Sequence, residues 1–186
     1  MPRHLLPIPH HKQTKESDCL ATCAWMALEA IGENIPYSKL LTALDIKPWG
    51  TPHRNIRELE GLAHNIHVVY RQGELPDLFA AIEVGFAPLV FIWTGELSYW
   101  STATWHAVLI VGYDDEHFYV NDPHLKTPRS RSARETWIWL GWLTTRFMRS
   151  SNVRNSLRQR IQRKRRNVSP VEFQHVCHGG EFAGVV

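Results

Sequence analysis

Residues 104–123, "TWHAVLIVGYDDEHFYVNDP", contain two apolar runs separated by three acidic residues. The first run is long enough for a buried strand, and the second has the aromatic and β-branched residues that strands favour. Joined by a short polar turn at residues 114–116, they predict an antiparallel hairpin. In that hairpin position 106 pairs near position 124, so His106 lies about one cross-strand step from Asp122.

Two further segments predict strands, and four predict helices. "APLVFIW", at residues 87–93, is a continuous apolar run typical of a strand buried on both faces, and "IHVVYR", at residues 66–71, is a second strand candidate. The helical segments are residues 18–32, 35–45, 49–65 and 75–85. Because helices come first and an antiparallel sheet follows, the sequence predicts an α+β fold with N-terminal helices packed on the sheet.

Particular residues mark the ends of the predicted helices. Ser17 or Asp18 can cap the first helix, and Gly32 suits the left-handed position that ends it. Ser38 is the expected cap of the second helix, and Thr51 is the expected cap of the third.

The last part of the chain differs in composition from the rest. Residues 1–148 carry 13 Lys and Arg against 16 Asp and Glu, whereas residues 149–186 carry 8 against 2. We therefore expect one globular domain over residues 1–150 and a basic, flexible tail over residues 151–186. Residues 135–147 are rich in apolar side chains, but their pattern does not decide between helix and strand.

Composition also limits the class of protein. The 186 residues are 44% hydrophobic and 21% charged, which suits a chain with a sizeable core. Three cysteines are too few for a disulfide framework and indicate a reducing compartment. The sequence shows neither a signal-peptide core nor an apolar run that could cross a bilayer. We therefore expect a soluble cytoplasmic protein without membrane contact.

The segment "QTKESDCLATCAW", residues 13–25, places Cys19 after four polar or charged residues, at the start of the first predicted helix. Unpaired N–H groups and the helix dipole at such a position favour a thiolate over a thiol. This is the environment that a nucleophilic cysteine needs. Cys23, one turn further along on the apolar face, is expected to be a core residue.

His106 and Asp122 supply the other groups that a nucleophilic cysteine requires. His106, at the start of a buried strand, can meet a helix-end cysteine across a cleft and act as its base. Asp122, at the end of the neighbouring strand, can fix the imidazole tautomer and support the imidazolium. The backbone N–H of Cys19 and the side-chain amide of Gln13 can hold the developing oxyanion.

The pieces "Q-x5-C" at a helix start, "HAVLIVGYD" and "VNDP", in this order, resemble the C39 peptidases and C39-like proteins, which have the papain fold. The resemblance covers roughly residues 10–145 and implies a papain-like cysteine peptidase fold. It implies four catalytic residues, namely the nucleophile Cys19, the base His106, the orienting residue Asp122 and the oxyanion donor Gln13. It also implies a peptide or protein substrate, whose peptide or amide bond is cleaved by hydrolysis or acyl transfer without a cofactor.

Two alternatives to an active enzyme remain open. One is a catalytically silent C39-like domain that serves as a binding module, with the basic tail contacting a partner. The other is nucleic-acid binding through residues 149–166, although this segment lacks aromatics that stack on bases and a solvated tail is favoured. No metal site is expected, because Cys19 and Cys23 lie on a helix and the remaining candidate ligands, residues 175–178, lie in the tail. The oligomeric state is open.

Overall fold

The structure is a computed structural model that describes residues 4–64, 66–137 and 143–149. Within these residues seven strands form one antiparallel sheet. The strands are β1 (His4–Leu5), β2 (Ile66–Gln72), β3 (Leu89–Trp93), β4 (Trp105–Tyr113), β5 (His117–Asn121), β6 (Ser130–Ala133) and β7 (Leu143–Arg149). Their order is β2-β7-β3-β4-β5-β6, and β1 pairs with the C-terminal end of β4.

Among the described residues, the α-helices all precede the central strands β3 and β4. They are α1 (Cys19–Ala30), α2 (Tyr37–Ala43) and α3 (Leu75–Glu83), with 3-10 helices at His53–Leu62, Thr94–Glu96 and Arg134–Trp137. This arrangement of helices on an antiparallel sheet confirms the predicted α+β class. The third predicted helix lies in the expected place, but it is a 3-10 helix of 10 residues.

The glycine predicted to end the first helix is confirmed, whereas the side-chain cap at its start is wrong. Gly32 has a φ of 78°, and its amide donates to the carbonyl of Glu29. Neither Ser17 nor Asp18 caps α1 through its side chain. The carboxylate of Asp18 instead accepts a hydrogen bond from the hydroxyl of Thr14 at 2.7 Å, so it bonds to the turn before the helix and not to the first helical N–H groups.

The caps predicted for the next two helices are also wrong. Ser38 lies inside α2, and Thr51 makes no side-chain cap to the 3-10 helix that begins at His53. A proline precedes each of these helices directly, Pro36 with a φ of −55° and Pro52 with a φ of −56°. Because each proline occupies the N-cap position and has no side-chain acceptor, these helices begin without a hydroxyl cap.

The hairpin of β4 and β5 has the predicted register. Leu109 pairs with Asn121, and Ile110 pairs with Val120. The same spacing places residue 124 opposite His106, just beyond the end of β5. The start of β4 and the segment after β5 therefore come together at one end of the sheet.

The central strand β4 is buried on both faces. Its residues Ala107 and Leu109 pack in the cluster that includes the apolar side of α1, and Val108 and Ile110 pack in a second cluster with residues of α3. Burial of this strand on two sides explains its nearly continuous apolar sequence. It also provides a rigid support for the groups at its first residues.

Candidate active site

Cys19, the first residue of α1, lies beside the start of β4. Its side chain is half-buried, and the neighbouring side chain of His106 lowers the pKa of its thiol. The backbone N–H groups of Ala107 and Leu20 also lower the pKa of the Cys19 thiol. One turn later the Sγ of Cys23 donates to the Ala107 carbonyl at 3.3 Å, so the helix is held against the strand at this point. Cys23 is fully buried, which confirms its prediction as a core residue.

His106 connects Cys19 with Asp122. The Nε2 atom of His106 lies 2.8 Å from Oδ1 of Asp122, and both side chains are buried. Because Nε2 faces the carboxylate, Nδ1 is the ring nitrogen left to face Cys19. The structure therefore brings together three of the four site residues that the sequence predicts, in the order thiol, imidazole, carboxylate.

The charges of these groups stabilise one another. Burial lowers the pKa of His106, but hydrogen bonds to Asp122 and Cys19, and the charges of both, raise that pKa to about 9 overall. Burial raises the pKa of the Cys19 thiol, yet the hydrogen bond and charge of His106 and the two backbone N–H groups bring that pKa below its ordinary value. The arrangement favours a thiolate next to an imidazolium.

Asp122 receives two further hydrogen bonds that the sequence did not reveal. The indole Nε1 of Trp100 donates to Oδ2 at 2.9 Å, and the backbone N–H of His124 donates to Oδ1 at 2.8 Å. Burial raises the pKa of Asp122, but the His106, Trp100 and His124 donors lower it overall. The Trp100 ring also lies 4.8 Å from the His106 ring and 4.4 Å from the His124 ring. Trp100 lies in the loop between β3 and β4, where no sequence motif marks it.

Gln13 lies next to the triad through its backbone, but its side-chain amide is engaged elsewhere. Its backbone N–H donates to the carbonyl of Pro123 at 2.8 Å. Its Nε2 donates to the carbonyls of Lys15 and Glu16 at 3.0 and 3.1 Å, which uses both amide hydrogens. Its Oε1 is buried and accepts no hydrogen bond from the described residues. The fourth predicted site residue is therefore near the triad without a free donor.

The N-terminal segment, residues 6–13, runs along the end of β5. His10 Nε2 lies 3.1 Å from the carbonyl oxygen of Asp122, and the side-chain amide of Asn121 donates to the carbonyl of Pro9 at 3.2 Å. Together with the Gln13 contact to Pro123, these bonds fix the segment that precedes Cys19 against the strand that carries Asp122. The hairpin pattern alone gives no sign of this connection.

The sequence matches a known family over most of its length. A family model described as the Peptidase_C39 like family covers residues 5–144. The chain belongs to the C39-like peptidase family. The matched range contains both the helix start at Cys19 and the hairpin that carries His106 and Asp122, which confirms the resemblance based on those motifs. No curated protein matches the C39-like sequence.

Solved C39 structures share the architecture of this C39-like chain. A C39-like peptidase from Bacillus anthracis has a TM-score of 0.63 and 15% identity, covering 76% of this chain and 96% of its own. A double glycine motif protease from an AMS/PCAT transporter, in complex with the leader peptide, has a TM-score of 0.61 and 17% identity, covering 80% and 96%. The peptidase domain of Streptococcus ComA, a bi-functional ABC transporter, has a TM-score of 0.60 and 16% identity, covering 75% and 96%. These likenesses confirm the predicted papain-like fold.

Several other sequence predictions concern features beyond this site. No helix among the described residues is long and apolar enough to cross a bilayer. Cys19 and Cys23 are free thiols, and residues 4–64, 66–137 and 143–149 contain no group of three or more His, Cys, Asp or Glu side chains suited to a metal ion. Residues 150–186 lie outside the described residues, so the tail and its nucleic-acid interpretation stay predictions.

Proposed function

We propose that this chain is a cysteine peptidase that cleaves a peptide or amide bond through Cys19, His106 and Asp122. One observation carries the proposal: the buried imidazole of His106 lies 2.8 Å from Asp122, and by its charge and hydrogen bonding it lowers the pKa of the neighbouring Cys19 thiol. Membership of the C39-like peptidase family supports this reading of the site. A nucleophile, a base and a group that orients the base are the set that thiol acyl-transfer chemistry needs.

In the proposed reaction the Cys19 thiolate attacks the substrate carbonyl carbon, and His106 gives its proton to the leaving amine. Asp122 holds Nε2 throughout, so Nδ1 stays directed at the reacting atoms. The acyl group is then bound to Cys19 as a thioester. Water or another amine releases it, which makes hydrolysis and acyl transfer two outcomes of one arrangement.

The backbone N–H of Cys19 is the first proposed oxyanion donor, because the first residues of a helix lack intrahelical partners for their N–H groups. Gln13 is the second proposed donor. Its Nε2 must leave the carbonyls of Lys15 and Glu16 before it can reach a substrate. The buried and unpartnered Oε1 disfavours the present orientation of this amide, which supports such a rearrangement.

A peptide or protein is the proposed substrate. The structural neighbour from the AMS/PCAT transporter was solved in complex with the leader peptide, which supports a peptide substrate for this chain. The cytoplasm is the proposed location, because a reducing compartment keeps Cys19 available as a thiol.

The second candidate is a catalytically silent binding module. The observation that favours it is the Gln13 amide, whose two hydrogens are donated to backbone carbonyls. A silent domain needs no thiolate, so the two candidates differ in the reactivity of Cys19.

The first test measures the rate of Cys19 alkylation by iodoacetamide between pH 4 and pH 9, read by peptide mass spectrometry. We expect Cys19 to react at pH 6 at least tenfold faster than glutathione, because its pKa is lowered and the reference thiol is protonated there. Cys23 is the internal control and should stay unreactive, because it is fully buried and its pKa is raised by that burial. The substitution His106→Ala should lower the rate of Cys19 alkylation, and circular dichroism shows whether this variant is folded.

If Cys19 reacts no faster than glutathione at any pH, the proposed peptidase function is refuted and the binding-module function is favoured. This outcome needs only the wild-type protein, so it does not depend on the folding of a variant. A reactive Cys19 leads to the second measurement, new N-termini in a peptide library that appear with the wild type and disappear with Cys19→Ala.

A further inference from the structure

Two tryptophans form an exposed pair directly beside the catalytic histidine. Trp93, the last residue of β3, lies opposite Trp105, the first residue of β4, and their ring centroids are 5.6 Å apart at an angle of 66°. Trp105 immediately precedes His106 in the chain. The side chain of Trp105 is 68% exposed and that of Trp93 is 37% exposed, which is unusual for indoles at the end of a buried sheet.

The pair lies on the sheet face that α1 covers. Trp105 and Ala107 share a face because side chains alternate along a strand, and Ala107 packs in the core cluster that contains the buried side of α1. The helix begins only at Cys19, and Cys23, one turn later, already contacts Ala107. Cys19 packs against the same cluster, and Trp105 is the next residue on this face toward the start of β4.

The surrounding loop holds the pair in place. A Cβ on Gly95 would lie 2.8 Å from Nε1 and 3.1 Å from Cδ1 of Trp93, so the Trp93 indole packs closely over this glycine. Thr94 donates its backbone N–H to the Thr104 carbonyl at 2.9 Å, and its hydroxyl accepts from the Thr104 N–H at 2.8 Å. These two hydrogen bonds hold the end of β3 and the start of β4 together next to the two tryptophans.

We propose that Trp93 and Trp105 form a substrate subsite that takes an aromatic or large aliphatic side chain close to the scissile bond. The occupant follows from position and chemistry: the surface is apolar and exposed, and Cys19 packs against the cluster of Ala107 on the same sheet face, so a side chain of the substrate is the expected occupant. An aromatic side chain gains both area burial and ring contacts there. The subsite rests on the proposed function, because it describes how that reaction selects its substrate.

The test compares two reagents that alkylate Cys19, iodoacetamide and N-phenethyl-iodoacetamide. The second carries a phenyl ring a few bonds from the same electrophilic carbon. Dividing its rate constant by that of iodoacetamide, and normalising to the same ratio on glutathione, cancels the intrinsic reactivity of the thiol. We expect a normalised ratio of about ten for the wild type and below about two for Trp105→Ala, as the loss of an aromatic contact implies.

Trp49→Ala is the matched control, because Trp49 is 84% exposed and lies in the loop after α2, and it should leave the ratio unchanged. Gly95→Ala should lower the ratio while both tryptophans are retained, since the added methyl displaces the Trp93 ring. A wild-type ratio near one, or a high ratio that persists in Trp105→Ala, overturns the subsite. A slow reaction with iodoacetamide itself counts against the peptidase instead, so the two failures are distinguishable.

Discussion

At the residue scale, the carboxylate of Asp122 is the most heavily hydrogen-bonded group of the site. It faces His106 Nε2 at 2.8 Å and also accepts from the Trp100 indole and the His124 backbone. These donors keep Asp122 ionised although it is fully buried, and the ionised carboxylate in turn keeps a proton on His106. Trp100 is therefore expected to influence the proposed chemistry through Asp122, as a positioning residue.

Trp100→Phe removes the donor to Asp122 and keeps a ring over His106. A hydrogen bond to a charged group is worth about 1.5–3 kcal/mol, so an ionised carboxylate that loses this donor becomes more basic and stabilises the imidazolium more strongly. We expect the alkaline limb of the pH profile for Cys19 alkylation, set by the His106 pKa of about 9, to move up by roughly one pH unit. Trp49→Phe is the control, and an unchanged alkaline limb in Trp100→Phe contradicts the role of Trp100.

At the element scale, Gly112 explains how β1 reaches the centre of the sheet. A Cβ at Gly112 would lie 2.5 Å from the carbonyl oxygen of His4 and 2.9 Å from Cδ1 of Leu5. Gly112 pairs with Leu5, and the next amide, Leu6, donates to the Val111 carbonyl at 2.7 Å. The glycine in "HAVLIVGYD" therefore permits the close approach of the chain that leads to Gln13 and Cys19.

Gly112→Ala should destabilise the protein by about 1–3 kcal/mol, the usual effect of forcing a methyl group into a packed site. Urea unfolding measures this loss, and hydrogen exchange at the Leu6 amide reports whether β1 has detached. Gly61→Ala is the matched control, because a Cβ there meets nothing within 4 Å. If Leu6 stays protected and stability is unchanged in Gly112→Ala, the packing explanation is wrong.

At the scale of the whole molecule, Cys19 and His106 have opposite effects on the pH dependence of stability. The pKa of His106 is raised from 6.5 to about 9, so its stabilisation is full below pH 6.5 and disappears as the pH rises through about 9. The pKa of Cys19 is lowered from 9.0, so its stabilisation is present above pH 9 and disappears as the pH falls through its folded value. Between pH 6.5 and pH 9 the folded pair binds one proton, on the imidazole of His106. The unfolded pair also binds one proton, on the thiol of Cys19.

Between pH 7 and pH 8.5 this pair should therefore make the free energy of unfolding of the wild type neither rise nor fall with pH. In Cys19→Ala the thiol is absent. His106 then binds a proton in the folded state but not in the unfolded state over this pH range. Its free energy of unfolding should fall relative to the wild type by up to about 1.4 kcal/mol per pH unit, until the pH reaches the folded His106 pKa. Urea unfolding at several pH values measures the difference, and parallel curves for the two proteins would exclude the thiolate–imidazolium pair.

The α+β class, the hairpin and the identity of three neighbouring site residues could be predicted from the sequence, because each depends on short-range patterns. A strand–turn–strand run sets the distance between His106 and Asp122, and a polar segment before an apolar helix marks Cys19. Helix starts were less predictable, since prolines, and not the expected hydroxyl residues, occupy the N-cap positions of α2 and of the 3-10 helix at His53–Leu62.

Other features depend on contacts between residues that lie far apart in the chain, and only the tertiary structure decides them. Trp100 reaches Asp122 across 22 residues, and the segment before Cys19 is fixed to the end of β5 across more than 100. The direction of the Gln13 amide depends on nearby backbone carbonyls that compete for its hydrogens. Local sequence determined which chemical groups stand at the ends of α1, β4 and β5. Packing of those elements decided which groups meet, because hydrogen bonds form where side chains are brought within reach, whatever their separation along the chain.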